Sequence, residues 1–221
     1  MALLLRAITL PPERLESNPE GTRRVDVGGL TAWASELDET TAFGRDDLVH
    51  HHRLVSDIFA RVDACLPARF PSWLDEAQLR TRQADLRARL ERIKGCCELA
   101  ITGTWLHTND ETRDATKMDS GRAYLAQRQR VFATSDSRVA RASALADELE
   151  RSVGAVIVDA RRQLCPSSNV AFSLALLIQR ASVEEALSRM ARGAQDVRIL
   201  VNGPWPPYTF AGVGREEQGD G

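Results

Sequence analysis

The stretch from Val201 to Phe210 reads Val-Asn-Gly-Pro-Trp-Pro-Pro-Tyr-Thr-Phe and follows a short apolar run near the end of the 221-residue chain. Its three prolines cannot donate backbone hydrogen bonds, so neither a helix nor a central strand is expected to continue through them. Trp205 and Tyr208 carry large surfaces that favour burial or a protein partner over a solvated linker. We therefore expect this stretch to pack back on its own domain, with presentation to another protein as the alternative.

The composition upstream of this stretch is that of an ordinary folded protein. Hydrophobic residues make up 43% and charged residues 27% of the chain, as in typical globular domains. The net charge of −2 argues against a main role in binding nucleic acid, which requires a strong basic excess. No apolar run reaches the ~18 residues of a membrane-spanning helix, and the N-terminus lacks the basic start of a secretory signal. We expect a soluble, cytoplasmic protein.

The first half of the chain combines strand and helix patterns. A short apolar run over 3–8 predicts a first strand. The residues on either side of Gly28-Gly29 predict two further strands, which this turn joins into a hairpin. From Asp46 to Val62, apolar residues recur on one face of a helix. A short strand is expected over 66–70, and a second helix over 75–93. These elements predict an N-terminal α+β domain, a modified α+β sandwich.

The second half has a regular alternation of patterns. Its predicted order is strand, helix, strand, strand, helix, strand, which is the order of a ferredoxin-like βαββαβ unit on a four-stranded sheet. The predicted elements cover residues 96–102, 121–151, 153–159, 169–178, 182–191 and 195–201.

Gly95 marks the predicted boundary between the two halves. We expect an N-terminal α+β domain over 1–94, a C-terminal ferredoxin-like domain over 95–213, and a disordered tail over 214–221, which is polar and rich in glycine.

The sequence contains no recognisable catalytic, cofactor or metal motif. Three adjacent histidines, His50 to His52, point about 100° apart on a helix and cannot chelate one ion. Pairing Asp46 with His50 supplies two ligands, fewer than a zinc site needs. The P-loop, the dinucleotide-binding glycines and the Gly-x-Ser-x-Gly elbow are all absent, and the four cysteines form no Cys-x-x-Cys pair. We therefore predict no catalysis, no cofactor and no bound metal.

Several segments of the chain together resemble the gas vesicle GvpF/GvpL protein family. The terminal motif Gly-Pro-Trp-Pro-Pro-Tyr-Thr-Phe is the most specific of them, and the remaining matches run in the same order from about residue 3 to residue 213. The segments that carry the resemblance are Gly29–Glu36, His50–Arg53, Leu66–Phe70, Gly121–Leu125, Val170–Phe172 and Gly203–Phe210.

The resemblance implies a function that the residues alone do not. It implies an accessory protein of gas vesicle assembly that binds the small, very hydrophobic structural protein (GvpA-like) and supports shell formation, together with other gas vesicle accessory proteins. It implies two α+β domains with ferredoxin-like character, and a location in the cytoplasm, on the vesicle or in its assembly complex. It covers both F-type and L-type members and does not separate them.

Two groups of residues are candidates for the functional site. Six motif residues are expected to be structural, with the prolines fixing the path of the chain and the two aromatic residues sealing a sheet or the domain junction: Gly203, Pro204, Trp205, Pro206, Pro207 and Tyr208. Arg69 lies in a short apolar strand, where an arginine either pairs with a carboxylate at the sheet edge or marks an interaction surface. Together with Trp73, it is a possible partner contact.

Two other classes of function stay open at the level of sequence. A small-molecule-binding protein or enzyme on a ferredoxin-like scaffold is the alternative, because that fold hosts many activities. Single-stranded RNA binding would need exposed aromatic residues on the central strands, and the predicted strands supply only Phe172.

Overall fold

A computed structural model describes residues 2–12, 17–38, 40–106, 121–164, 169–190 and 197–212. Of residues 121–136 it describes the backbone alone. The predicted tail over 214–221 lies outside the described residues.

The described elements comprise both strands and helices along the whole chain. The strands are β1 (Ala2–Thr9), β2 (Arg23–Asp26), β3 (Thr31–Leu37), β4 (Cys65–Pro67), β5 (Cys96–Trp105), β6 (Ile157–Leu164), β7 (Val170–Gln179) and β8 (Val197–Trp205). The helices are α1 (Arg45–Phe59), α2 (Glu76–Thr81), α3 (Gln83–Arg92), α4 (Gly121–Val153), α5 (Val183–Met190) and α6 (Tyr208–Ala211). The strands form two four-stranded antiparallel sheets, in the orders β2-β3-β1-β4 and β6-β7-β5-β8. The predicted α+β class is confirmed.

The hairpin of β2 and β3 closes through a two-residue turn. Gly28 and Gly29 have φ angles of 64° and 79°, the left-handed region that favours glycine, and Val27 and Leu30 exchange both backbone hydrogen bonds across the turn. The Gln83 side-chain amide donates to the Gly28 carbonyl. This bond fixes the turn on the start of α3.

The core of the first sheet is built around β1 and β3. Trp33 on β3 is fully buried, and its indole N–H donates to Thr9 Oγ1 at 3.0 Å. Trp33 clusters with Ala7, Ile58 of α1 and Cys65 of β4. Helix α1 therefore contributes Val55 and Ile58 to the buried side, as its periodicity predicts, whereas Leu48, expected on the same face, is 51% exposed.

In the second sheet, β7 lies next to β5, and a side chain of β7 covers a glycine of β5. A Cβ atom on Gly103 of β5 would lie 2.6 Å from Cε1 of Phe172, a buried residue of β7. Phe172 thus fills the space that a side chain at residue 103 would occupy, which explains a glycine within a strand. It also places Phe172 in the core, so it is not an exposed aromatic residue of the kind that stacks on RNA bases.

Contacts between residues divide the chain into two compact units. One comprises Met1–Glu98 with Pro204–Gly221, and the other comprises Leu99–Gly203. The predicted domains, 1–94 and 95–213, differ from this division by assigning the terminal motif to the second half. Those limits stay a prediction about folding domains, because contacts do not measure independent folding.

Several predicted elements need correction. The strand expected over 153–159 runs instead from Ile157 to Leu164, and the strand expected over 66–70 covers only Cys65–Pro67. The helix expected over 75–93 is interrupted at Arg82, whose φ and ψ of −98° and 9° separate α2 from α3. The strand expected to stop at Val201 continues through Pro204 to Trp205. Because β8 is an edge strand of its sheet, the missing N–H of Pro204 removes no necessary hydrogen bond.

Candidate functional site

The terminal motif packs on the first unit. We call Pro204–Ala211 the C-terminal segment. Pro206, Pro207 and Ala211 are buried, Tyr208 is half-buried, and α6 packs against β4. A segment with consecutive buried prolines has a fixed path, because the pyrrolidine rings restrict φ.

Tyr208 and Trp205 both contact His52 of α1. The Tyr208 hydroxyl lies 3.0 Å from His52 Nδ1, and the Trp205 and His52 ring centroids are 5.3 Å apart at an interplanar angle of 61°. Burial raises the pKa of Tyr208 well above its usual range, so the hydroxyl stays protonated, and the tautomer of His52 sets which of the two groups donates. Trp205 is 38% exposed, so it covers the surface of its unit only in part, less than expected for a residue that closes a sheet or a domain junction.

A buried carboxylate holds the end of the C-terminal segment. Glu98 on β5 accepts hydrogen bonds from the Thr209 backbone N–H at 2.8 Å and from Thr209 Oγ1 at 2.7 Å. Burial raises the pKa of Glu98, and the two bonds from Thr209 oppose that rise. The carboxylate thereby satisfies an N–H in the first turn of α6, which has no partner within the helix.

A buried polar chain connects the first sheet to α1. Arg6 on β1 donates from Nε to Ser35 Oγ of β3 at 3.1 Å, and its Nη1 lies 3.1 Å from His51 Nδ1. His51 Nε2 lies 3.1 Å from the Ala68 carbonyl oxygen. Because a carbonyl only accepts, Nε2 carries the proton and Nδ1 accepts from Arg6. The neutral ring thus joins β1, α1 and the residue after β4.

The surroundings of His51 disfavour its charged form. Burial is the largest cause and the Arg6 guanidinium the next, and together they lower the pKa of His51 from 6.5 to about 4, against the hydrogen bond to Ala68. Burial also lowers the pKa of Arg6, while Asp47 raises it. At neutral pH the pair therefore carries one positive charge, on Arg6.

Three aromatic rings lie beside this buried pair. The Phe43 and Phe70 ring centroids are 5.0 Å apart, those of Phe43 and Trp73 are 6.0 Å apart, and Phe70 lies 5.1 Å from the His51 ring. Trp73 is 39% exposed. We call Phe43, Phe70 and Trp73 the aromatic edge.

The backbone of the aromatic edge extends the first sheet. Leu5 N–H donates to the Ser72 carbonyl at 2.8 Å, and Leu74 N–H donates to the Leu3 carbonyl at 2.7 Å, so Leu4 and Trp73 form a bridge between these bonds. In such an antiparallel pair the N–H and C=O of Trp73 point away from β1. Among the described residues they have no hydrogen-bond partner. Within the described part of the chain, the edge of the sheet is therefore unpaired at Trp73.

Arg69 is placed differently from the prediction. It follows β4 instead of lying within a strand, because β4 ends at Pro67. Its side chain is exposed, and no carboxylate of the described residues forms an ion pair with it. Of the two roles considered for Arg69, the geometry does not support pairing within the described part of the chain.

The structure brings some of the predicted residues together and separates others. Pro204 to Tyr208 group with the first unit, whereas Gly203, at φ 131°, is the last residue of the second. His51 and His52 contact different partners. Within the described ranges, no three His, Cys, Asp or Glu side chains are arranged to hold a metal ion, and no helix is long and apolar enough to cross a membrane.

Three residues that organise this site were not predicted: Arg6, Glu98 and Thr209. A signal existed for the first two, since each is a charged residue within an otherwise apolar strand, and such residues are rarely buried without a partner. The partner of each is distant in sequence. Thr209 carries no such signal.

Comparisons with known proteins agree along nearly the whole chain. The model of the family described as gas vesicle synthesis protein GvpL/GvpF matches residues 7–212. Gas vesicle protein L2 of Halobacterium salinarum is 28% identical over 235 aligned residues, covering 87% of this chain and 82% of that protein. Gas vesicle protein L of Streptomyces sp. (strain CB03234) is 30% identical over 191 aligned residues, covering 77% and 71%.

Two solved structures share the fold. The crystal structure of the gas vesicle protein GvpF from Anabaena sp. PCC7120 matches with a TM-score of 0.73 at 17% identity, over 97% of this chain and 99% of that chain. GvpF from Microcystis aeruginosa matches with a TM-score of 0.71 at 19% identity, over 95% and 98%.

Proposed function

The chain belongs to the gas vesicle GvpL/GvpF family, and from this premise we propose that it is an accessory protein that binds the small hydrophobic structural protein of the vesicle wall. Family membership implies a role in gas vesicle formation. The proposed role needs no catalysis and no cofactor, and it places the protein in the cytoplasm, on the growing vesicle or in a complex with other accessory proteins. It involves neither nucleic acid nor insertion into a membrane.

The physical reason for such a protein lies in its partner. A subunit that forms the wall of a gas-filled shell exposes apolar surface before it is incorporated, and large exposed apolar patches drive misassembly. A protein that covers such a surface reversibly keeps the subunit available for the growing wall.

The aromatic edge is the observation that carries the proposal. Trp73 offers an exposed indole and an outward N–H and C=O at an open sheet edge. An extended apolar segment that pairs there would gain main-chain hydrogen bonds and bury its side chains against Trp73 and Phe43. Arg69, four residues before Trp73 and exposed, would lie beside it as a charged contact.

The other motif residues have a structural role in this proposal. Pro204 to Tyr208 hold the C-terminal segment on the first unit through His52 and the neighbouring Thr209–Glu98 bonds. Gly203 supplies the positive φ that precedes the proline run.

We also propose that the second sheet is ferredoxin-like. Its strands occur in the chain as β5-α4-β6-β7-α5-β8 and in the sheet as β6-β7-β5-β8. This is the arrangement of a split βαβ unit, with β7 inserted between the two strands that α4 joins. The first unit would be the modified α+β sandwich.

The described residues give no specific support to the alternative of an enzyme or small-molecule-binding protein. The Arg6–His51 pair is a buried titratable cluster, but its hydrogen bonds join strands and helix through Ser35 and Ala68.

Co-expression with the vesicle structural protein tests the proposal. The tagged chain and the major structural protein would be produced together in a host without gas vesicles, and the amount of structural protein retained and kept soluble would be measured. We expect specific retention by the native chain and a loss with Trp73→Asp. Leu187→Asp is the matched control, because Leu187 is similarly exposed, at 41%, but lies on α5.

Two outcomes would contradict the proposal at different levels. Absence of retention by a folded native chain would contradict direct binding of the structural protein. Retention that is equal for Trp73→Asp and Leu187→Asp would contradict only the aromatic edge as its site. The melting temperature of each variant shows whether it is folded.

A further inference from the structure

Helix α1 has a second, exposed apolar surface. Leu48 and Val49 are 51% and 61% exposed, and Trp205, 38% exposed, packs edge-on against His52. Leu48 and Val49 precede His52 by four and three residues, the spacings that place side chains side by side on a helix. We call Leu48, Val49, His52 and Trp205 the α1 patch.

The α1 patch is distinct from the aromatic edge. The aromatic edge contacts α1 through His51, and at about 100° per residue Val49 lies roughly 160° around the helix from His51. A partner on one surface therefore leaves the other accessible.

Two arginines flank the patch along the helix. Arg45 and Arg53 lie four residues before and after Val49, so all three side chains fall on one line of the helix surface. Both arginines are exposed, and neither forms an ion pair with a described residue. Unpaired exposed charges beside apolar surface are available to a partner of opposite charge.

We propose that the α1 patch binds an amphipathic α-helix with an apolar face and two acidic residues about two turns apart. Arg45 and Arg53 are separated by eight residues, or roughly 12 Å along the helix axis. In near-parallel helix packing, acidic residues seven or eight positions apart on the partner reach both arginines, while the apolar residues between them cover Leu48 and Val49.

Charge on the neighbouring helix surface favours this partner over a polyanion. Asp46 and Asp57 lie next to the arginine line, within about 40° of Arg53 around the helix. A phosphate backbone or an anionic membrane presents negative charge broadly and would be repelled by these carboxylates. A single helix with two acidic residues at the right spacing can pair with Arg45 and Arg53 without bringing negative charge close to Asp46 and Asp57.

The test uses the full chain and a pair of synthetic peptides. The first is a capped Ala/Leu helix with two Glu residues seven positions apart beside its apolar stripe, and the second carries Lys in place of both Glu. Each peptide carries a fluorescent dye, and its anisotropy is measured against protein concentration at low and high salt. The protein is the native chain, Val49→Asp, the double variant Arg45→Glu/Arg53→Glu, or the control Leu187→Asp.

We expect saturable binding of the Glu peptide by the native chain and the control, with at least tenfold weaker binding of the Lys peptide. Val49→Asp should weaken binding of the Glu peptide at least tenfold, and the double variant should prefer the Lys peptide. Circular dichroism of each variant shows whether it is folded.

Three results would overturn the proposal. One is the absence of saturable binding of the Glu peptide to the folded native chain, and the second is equal affinity for the Glu and Lys peptides. The third is a native chain that sediments as a dimer and becomes a monomer with Val49→Asp, since the patch would then bind a second copy of this chain.

Discussion

Replacing His51 by Gln should change how the stability of this protein depends on pH. The imidazole accepts from Arg6 and donates to the Ala68 carbonyl. A glutamine side chain carries one acceptor and one donor group, so it retains the chemistry of both bonds without a group that titrates in this range. The comparison therefore isolates protonation of the ring from loss of the hydrogen bonds.

The magnitude follows from the depressed pKa of His51. Its pKa is about 4 in the folded state and 6.5 as the reference for the unfolded chain, so the folded state binds fewer protons between these values. The stability associated with the neutral ring is complete above pH 6.5 and is lost as the pH falls towards 4. The full difference is about 3 kcal/mol, at ~1.4 kcal/mol per pKa unit, and about 2 kcal/mol of it should be lost by pH 5.

Urea denaturation of the native chain and His51→Gln measures this difference. The free energy of unfolding of each protein would be determined at about pH 7.5 and about pH 5 by circular dichroism. We expect the native chain to lose about 2 kcal/mol more than the variant over this interval. His50→Gln serves as the control, because His50 is an exposed neighbour on the same helix and should follow the native chain.

Parallel loss of stability in the native chain and His51→Gln would refute the reasoning. It would mean that the pKa of His51 is the same in the folded and unfolded states. The hydrogen bonds that join Arg6, His51 and Ala68 would then not hold a neutral, desolvated ring.

Three further predictions concern packing and the C-terminal segment. Gly103→Ala should destabilise the protein by about 1–3 kcal/mol, because the added Cβ would collide with the buried Phe172 ring. Thermal unfolding measures this loss. An unchanged melting temperature would contradict the close packing of β5 and β7. Trp205→Ala should destabilise the protein by about 2–3 kcal/mol. This is less than the ~3–5 kcal/mol expected for a fully buried aromatic residue, because Trp205 is 38% exposed. Urea denaturation measures the loss, and a larger value would mean that Trp205 is fully covered in solution. The third variant, Glu98→Gln, removes a carboxyl group whose pKa is raised in the folded state. As the pH falls through that raised pKa, the free energy of unfolding of the native chain should rise relative to that of the variant, because the folded state binds the proton more readily. Urea titrations in which the native chain instead loses stability relative to the variant would contradict this.

Much of the architecture was predictable because local patterns agree with the fold. The hairpin at Gly28-Gly29 followed from its turn residues, and α1 followed from a helical apolar face. The order of elements in the second half followed from alternating runs, although the strand predicted over 153–159 lies at 157–164. Where local preference and tertiary packing point the same way, a single sequence is sufficient.

The failures arise where tertiary context overrides a local rule. Pro204 was expected to end the last strand, but the strand lies at a sheet edge, and only the strand order reveals that. The break at Arg82 has no proline or glycine to announce it. Arg6 and Glu98 were visible as charges in apolar strands, yet their partners His51 and Thr209 lie 45 and 111 residues away.

The position of the C-terminal segment changes how the terminal motif is understood. By sequence it follows the last strand of the second half, but by contacts it belongs with the first unit. Its buried prolines, the Tyr208–His52 bond and the Thr209–Glu98 bonds therefore complete a unit whose other residues are made at the beginning of the chain. Until synthesis reaches Thr209, the carboxylate of Glu98 lacks the two hydrogen-bond donors that it has in the folded chain. The first unit consequently reaches its final packing only after the second has been synthesised. We therefore expect the motif residues to be needed for the packing of the first unit, which carries both the aromatic edge and the α1 patch, even if none of them touches a partner.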